Sequence, residues 1–83
     1  MTEITLTHPI HHNGETITSL RFRRMTMGDI RAAKQAPDLI EAAIVVASRL
    51  AGVSVEALDG LDASDSEALF AAVNEKLAAF QKN

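Results

Sequence analysis

The stretch EITLTHPIHHNGETITSLRFR, residues 3–23, decides the fold class. β-Branched and apolar residues alternate on both sides of Asn13-Gly14, the pattern of a β-hairpin. Ile4, Leu6 and Ile10 hold even positions before the turn, and Leu20 and Phe22 hold even positions after it. Thr5, Thr7, Ser19, Arg21 and Arg23 are odd. Successive strand residues point to opposite faces, so one common apolar face requires even to pair with even. A two-residue Asn-Gly turn pairs Leu6 with Arg21 and violates this. A three-residue loop, His12-Asn13-Gly14, pairs Leu6 with Leu20 and Ile4 with Phe22, with Gly14 in the left-handed conformation. That register is the expected one. It sets Glu3 opposite Arg23, Thr5 opposite Arg21 and Ile17 opposite Pro9. Pro9 lacks an N–H, which places its strand at a sheet edge.

Helical signals follow the hairpin. Thr26 and Asp29 have the spacing of a capping box and predict a helix over about 27–36, ended by Pro37. Pro37 then opens a second helix over about 38–51, in which Ile40, Ile44, Ala47 and Leu50 recur at helical spacing. Apolar residues run nearly all round its middle, which predicts the central, most buried helix. Gly52 suits its C-terminal cap. Ser54 caps a short turn over about 54–59. Asp62 or Ser64 caps a last helix over about 63–81, whose apolar stripe is Leu69, Phe70, Val73, Leu77 and Phe80. Together these predict a small α+β fold in one domain spanning 1–83, an N-terminal hairpin followed by three to four helices.

Composition narrows the function classes. A chain of 83 residues supports one domain and a modest core, burying about 60% of its unfolded surface. It has no Trp or Tyr and only three Phe, too few aromatic walls for a large ligand pocket. Having no cysteine, it contains no disulfide, thiolate nucleophile or Cys-based zinc site. The opening MTEITLTHPI carries neither a basic nor an apolar leader segment, and the longest apolar run is Ala42–Ala47. No signal peptide or membrane span is therefore expected, and a cytoplasmic location is. Residues 1–35 carry five basic and three acidic side chains, and residues 36–83 carry three basic and eight acidic, so +2 and −5 make the net −3.

Four constellations bear on chemistry. Arg21, Arg23 and Arg24 form either a solvated strand face or a basic patch for phosphates or an acidic protein surface. His8, His11 and His12 are turn and edge histidines: His11 and His12 point to opposite sides and no carboxylate lies at ligand spacing, so no metal site is expected. Ser48, Ser54, Ser64 and Ser66 have no readable His and Asp partners, and no glycine-rich phosphate loop is present, so neither catalysis nor a cofactor is expected. The stripe Leu69, Phe70, Val73, Leu77 and Phe80 is either core or a docking face for a partner helix.

The order of these elements resembles the small tail assembly chaperones of contractile-tailed phages such as Mu and P2. The features that carry it are ITLTHPI (4–10), NGETITSLRFR (13–23), MTMGDIRAAK (25–34), an alanine-rich helix and LAGVSVEALDGLDASD (50–65), then the last amphipathic helix. Within them lies G-x-S-x-E-A-L-D-x-L-D-x-x-D, with Gly52, Ser54, Glu56, Leu58, Asp59, Leu61, Asp62 and Asp65. The resemblance implies a non-enzymatic role in tail morphogenesis, from a phage or prophage. It implies binding to the helical tape-measure protein, with the tail-tube protein or a second copy as further partners. It also implies presence in the host bacterial cytoplasm and absence from the finished virion. On that reading Leu69, Phe70, Val73, Leu77 and Phe80 touch the partner, and Phe70→Asp or Leu77→Asp weakens the contact. The reading from another class is a small DNA-binding regulator using the patch Arg21, Arg23 and Arg24 together with Arg31.

Overall fold

Asn13 and Gly14 both take positive φ, 50° and 79°, the geometry of a tight two-residue turn whose twist matches the strands it joins. In the computed structural model, which describes the backbone of residues 2–81 and the side chains of residues 3–78, this turn connects β1 (Thr2–His12) to β2 (Glu15–Phe22). The two strands form a two-stranded antiparallel sheet. His12 pairs with Glu15, His11 with Thr16 and Ile10 with Ile17, so the three-residue loop expected from the sequence is not used. Farther from the turn, Thr5 pairs with Ser19, Ile4 with Leu20, Glu3 with Arg21 and Thr2 with Phe22.

Between Thr5 and Ile10 the first strand holds four residues where the second holds one. The three surplus residues form a wide bulge, and an odd surplus restores the even-to-even pairing that a two-residue turn alone denies. Leu6, Ile10, Leu20 and Phe22 are all buried on one face. The face assignment therefore follows from parity, and the bulge rather than the loop supplies the register shift. Pro9 lies within it, where its missing N–H costs the ladder nothing.

The bulge is closed from the far end of the chain. The Asp65 carboxylate accepts from the Thr7 N–H at 2.9 and 3.1 Å, the Thr7 hydroxyl at 3.0 Å and the His8 N–H at 3.2 Å. The two N–H groups belong to residues that the irregular strand leaves without a cross-strand pair. The Thr7 N–H, first among them, holds the Asp65 carboxyl below its ordinary pKa range.

Four helices follow: α1 (Met27–Lys34), α2 (Leu39–Ala51), α3 (Val55–Leu58) and α4 (Ala63–Gln81). The fold is thus the α+β arrangement expected, a hairpin followed by helices. β1 packs on α3 and α4, β2 packs on α2, and α1 leans on α2. The Arg23 N–H donates to the Leu50 carbonyl at 3.1 Å, tying the end of the sheet to the last turn of α2. The core is Leu6, Ile10, Leu20 and Phe22 from the sheet, Ala43, Val46, Ala47 and Leu50 from α2, Leu58 from α3, and Leu69, Val73 and Leu77 from α4. None of the helices among the described residues is long and apolar enough to cross a membrane.

Local signals set the helix ends. Asp38 caps α2 by accepting the Glu41 N–H at 2.8 Å, and Ser54 caps α3 through the Ala57 N–H at 3.1 Å. Asp62 accepts the Ser64 N–H at 3.1 Å where α4 begins. Gly52 ends α2 at φ 70°, with its N–H on the Ser48 carbonyl. A Cβ at Gly52 meets nothing within 4 Å, so alanine there costs only backbone strain. Gly52→Ala is expected to destabilise by about 1 kcal/mol and to lower the thermal midpoint by roughly 4–8 °C, as read by calorimetry.

Candidate functional site

Asp38 starts α2 so early that Leu39 and Ile40 fall in its first turn. They are 66% and 65% exposed, two adjacent large aliphatic side chains that make an apolar patch with the surface beside them. Ile40 lies seven residues before Ala47 and so shares a face with that fully buried residue. The core-facing stripe of α2 thus continues to Ile40, but no element among the described residues covers its first turn. The expectation that Ile40 is core is corrected on that ground.

Two hollows flank this ridge. One, of about 300 Å³, lies between α1, α2 and α4 and is lined by Ile30, Ala33, Lys34, Ala36, Asp38, Leu39, Ala42 and Leu77. The other, of about 400 Å³, lies between α2 and α4 and is lined by Leu39, Ile40, Ala43, Phe70, Asn74 and Ala78. Leu39 borders both. The surface they form is apolar and carries Lys34, Asp38 and Asn74 along its edges.

The stripe of α4 is divided by this geometry. Leu69, Val73 and Leu77 are 2%, 0% and 4% exposed and belong to the core, with Leu77 also forming the floor of the first hollow. Phe70 is half-buried and forms a wall of the second hollow. The Phe80 side chain lies outside the described residues. Leu39 and Ile40 were not singled out as site residues in the sequence. The signal for them was an aliphatic pair directly after a Pro-Asp helix start, where a helix often projects beyond its neighbours.

The three clustered arginines have three different environments. Arg21 is exposed and lies 3.9 Å from Glu3, its cross-strand neighbour. Arg23 points elsewhere: its fork donates to both oxygens of Asp29 at 2.8 and 2.9 Å. The expected pairing of Glu3 with Arg23 is therefore replaced by Glu3 with Arg21, because the tighter turn and the three-residue bulge together move the register two places from the one expected. Arg24 is exposed and has no carboxylate within 4 Å among the described residues.

Asp29 is completely buried and also accepts from Arg49 Nε at 2.7 Å, the Thr26 N–H at 2.8 Å and the Thr26 hydroxyl at 3.1 Å. The Arg23 fork holds its carboxyl far below the ordinary carboxylate range, opposed by burial and reinforced by Arg49 and Thr26. The sequence identified Asp29 as a helix cap. Its second role as the anion between two arginines depends on Arg49, 20 residues away.

The histidines sit along the hairpin. His8 Nδ1 lies 3.7 Å from Asp62, and His8, Asp62 and Asp65 each bring one possible ligand atom within 4.8 Å of the others. Both Asp65 oxygens, however, already face N–H and O–H donors from the bulge. Hydrogens aimed at those oxygens occupy the directions a cation needs, so the cluster works as a clamp on the strand. His11 contacts the Thr16 hydroxyl at 3.2 Å, and His12 contacts Ser54 at 3.3 Å.

The model of the family described as phage tail assembly chaperone proteins, E, or 41 or 14, matches residues 3–78. Nothing among the curated proteins and nothing among the solved structures matches the chain. The matched span runs from the first strand, through the bulge that Asp65 closes and the apolar ridge on α2, into the last turns of α4. On the strength of that match the chain belongs to the phage tail assembly chaperone family.

Proposed function

We propose that this chaperone holds amphipathic helical segments of the tape-measure protein on the apolar ridge of α2 during tail morphogenesis. The carrying observation is the pair Leu39 and Ile40, about two-thirds exposed between two apolar hollows. A tape-measure helix has an apolar stripe that must be covered until tube subunits surround it. A ridge flanked by grooves accepts such a stripe, its side chains at i, i+3, i+4 and i+7 entering the hollows on either side. Phe70 and Leu77, from the stripe marked in the sequence, supply the α4 side of the grooves. The remaining surface carries the net charge of −3 that keeps a client-bearing chaperone soluble.

Membership in a chaperone family favours a non-enzymatic role with protein partners in tail assembly. The proposal includes action in the host bacterial cytoplasm and release before the virion is complete. The tail-tube protein and a second copy of the chain are the competing occupants of the ridge. The DNA-binding reading is weakened because Arg21 lies beside Glu3 and Arg23 is committed to Asp29, which leaves Arg24 and Arg31 as the cations of that set without a carboxylate within 4 Å among the described residues.

The test is co-expression of the full chain with tape-measure fragments, followed by affinity measurement. Fully burying one aliphatic side chain contributes about 1.5–3 kcal/mol, so Ile40→Asp is expected to weaken binding roughly 10–100-fold. Because Ile40 is exposed, the thermal midpoint should stay within about 3 °C of the parent. Phe70→Asp should weaken binding in the same direction. Unchanged affinity for a folded Ile40→Asp protein would remove the ridge as the binding site.

A further inference from the structure

On the other flank of α1 lies a polar hollow of about 230 Å³, lined by Gly28, Arg31, Ala32, Gln35 and Arg49. Gly28, Arg31, Ala32 and Gln35 follow the i, i+3, i+4, i+7 spacing and so form one face of α1. Arg49 reaches the hollow from α2. Its Nε is anchored on buried Asp29 at 2.7 Å, which fixes the plane of the guanidinium. Its other nitrogens make no hydrogen bond among the described residues, and Nη2 lies 3.3 Å from where a Cβ on Gly28 would stand. Glycine at 28 therefore leaves the arginine fork accessible at the mouth of the hollow.

The charge of this hollow is uncompensated. Asp29 serves two arginines, so the Arg23–Asp29–Arg49 trio carries +1. Arg31 adds another positive charge and has no carboxylate within 4 Å among the described residues. We infer that this hollow is a carboxylate socket, receiving an Asp or Glu side chain of an acidic protein partner on the paired donors of Arg49 and Arg31. A planar guanidinium fork held in a fixed orientation matches a carboxylate bidentately and loses little entropy on binding it. This site does not depend on which protein fills the apolar ridge.

Two other occupants fit less well. A nucleic acid presents a continuous line of phosphates and calls for a track of cations, whereas this hollow offers two on a chain of net charge −3. A second copy brings −3 against −3, a net repulsion over the whole surface that a local contact with the socket would have to overcome.

The test is NMR of the nitrogen-labelled full chain titrated with hexaglutamate peptide. Saturable shifts are expected at the Gly28 and Gln35 amides and at the Nε signals of Arg31 and Arg49, with Kd below about 1 mM. Arg31→Glu, an exposed residue with no intramolecular carboxylate partner, should weaken binding at least about tenfold. Arg21→Glu, a reversal on the sheet away from the hollow, should change it less than about twofold. The inference is overturned by the absence of saturable shifts, or by equal loss in Arg21→Glu, which signals diffuse charge. It is equally overturned if a single-stranded oligonucleotide binds the same signals more tightly, or if they shift on concentrating the protein alone.

Discussion

Asp29→Ala is expected to lower the thermal midpoint by roughly 10–20 °C, a substantial fraction of what a small domain can lose and still fold. The carboxylate is buried completely and receives five hydrogen bonds from Arg23, Arg49 and Thr26. Removing it leaves two guanidinium groups facing each other without their shared anion. Breaking a fully buried pair costs about 3–5 kcal/mol. Here the arginine side chains are 42% and 46% exposed, so water recovers part of their solvation and about 2–3 kcal/mol is expected. The loss couples elements, since Arg23 ends the sheet, Asp29 opens α1 and Arg49 closes α2. Asp29→Asn retains the shape and one acceptor and should fall between the two.

The pH dependence has a defined sign. Asp29 titrates lower in the folded chain than its ordinary value of 3.8. Its stabilisation is therefore complete above that value and is lost as pH falls through the depressed folded range. Asp65 and Asp62 are shifted in the same direction, by the Thr7 N–H and by Ser64 respectively. The thermal midpoint should stay flat from about pH 7 to about pH 5 and decline below about pH 4. Asp29→Asn should show a shallower decline. An identical acid slope in parent and variant would show that Asp29 is not the titrating group.

Val73→Asp is expected to abolish folding. Val73 has no exposed surface and stands where α4 meets the rest of the core. The substitution removes the burial of an aliphatic side chain, about 1.5–3 kcal/mol, and places a carboxylate where no donor waits. A polar group buried without a partner adds about 1–3 kcal/mol even in its neutral form. The sum, about 2.5–6 kcal/mol, matches the lower part of the stability range of a domain this size, on the order of 4–12 kcal/mol. Circular dichroism should show loss of cooperative unfolding for Val73→Asp and retention for Ile40→Asp. That contrast separates the core part of the α4 stripe from the docking surface beside it. Folded Val73→Asp protein with weakened partner binding would instead place this residue at the interface.

The parts of the fold that were legible in the sequence rest on short-range rules. Parity required Leu6, Ile10, Leu20 and Phe22 to share one face, and so required a register shift somewhere in the hairpin. Thr26 with Asp29, Ser54 and Gly52 marked helix ends through groups a few residues apart, whereas Pro37, expected in the first turn of the second helix, lies before its Asp38 cap. The apolar stripe of α4 was visible in its spacing, but spacing says only which residues share a face. It gives no account of how far along the helix the neighbouring elements reach, which is what separates buried Ala47 from exposed Ile40.

The hairpin loop shows the same limit. Local geometry offered two ways to align the strands, and the longer loop needed fewer irregularities. The chain uses the tight Asn-Gly turn and a bulge because Asp65, 58 residues beyond Thr7, accepts the N–H groups the bulge releases. Likewise Arg23 could be matched on paper only to its strand neighbour Glu3, whereas buried Asp29 collects it together with Arg49. The sequence by itself determined the order of elements, their inward faces and the caps at their ends, since propensity and hydrophobic period act over a few residues. Only the tertiary structure decided the register of the hairpin, the partners of the arginines and the bare ridge at Leu39 and Ile40. Each of these depends on which distant groups meet, and a linear pattern does not encode that distance.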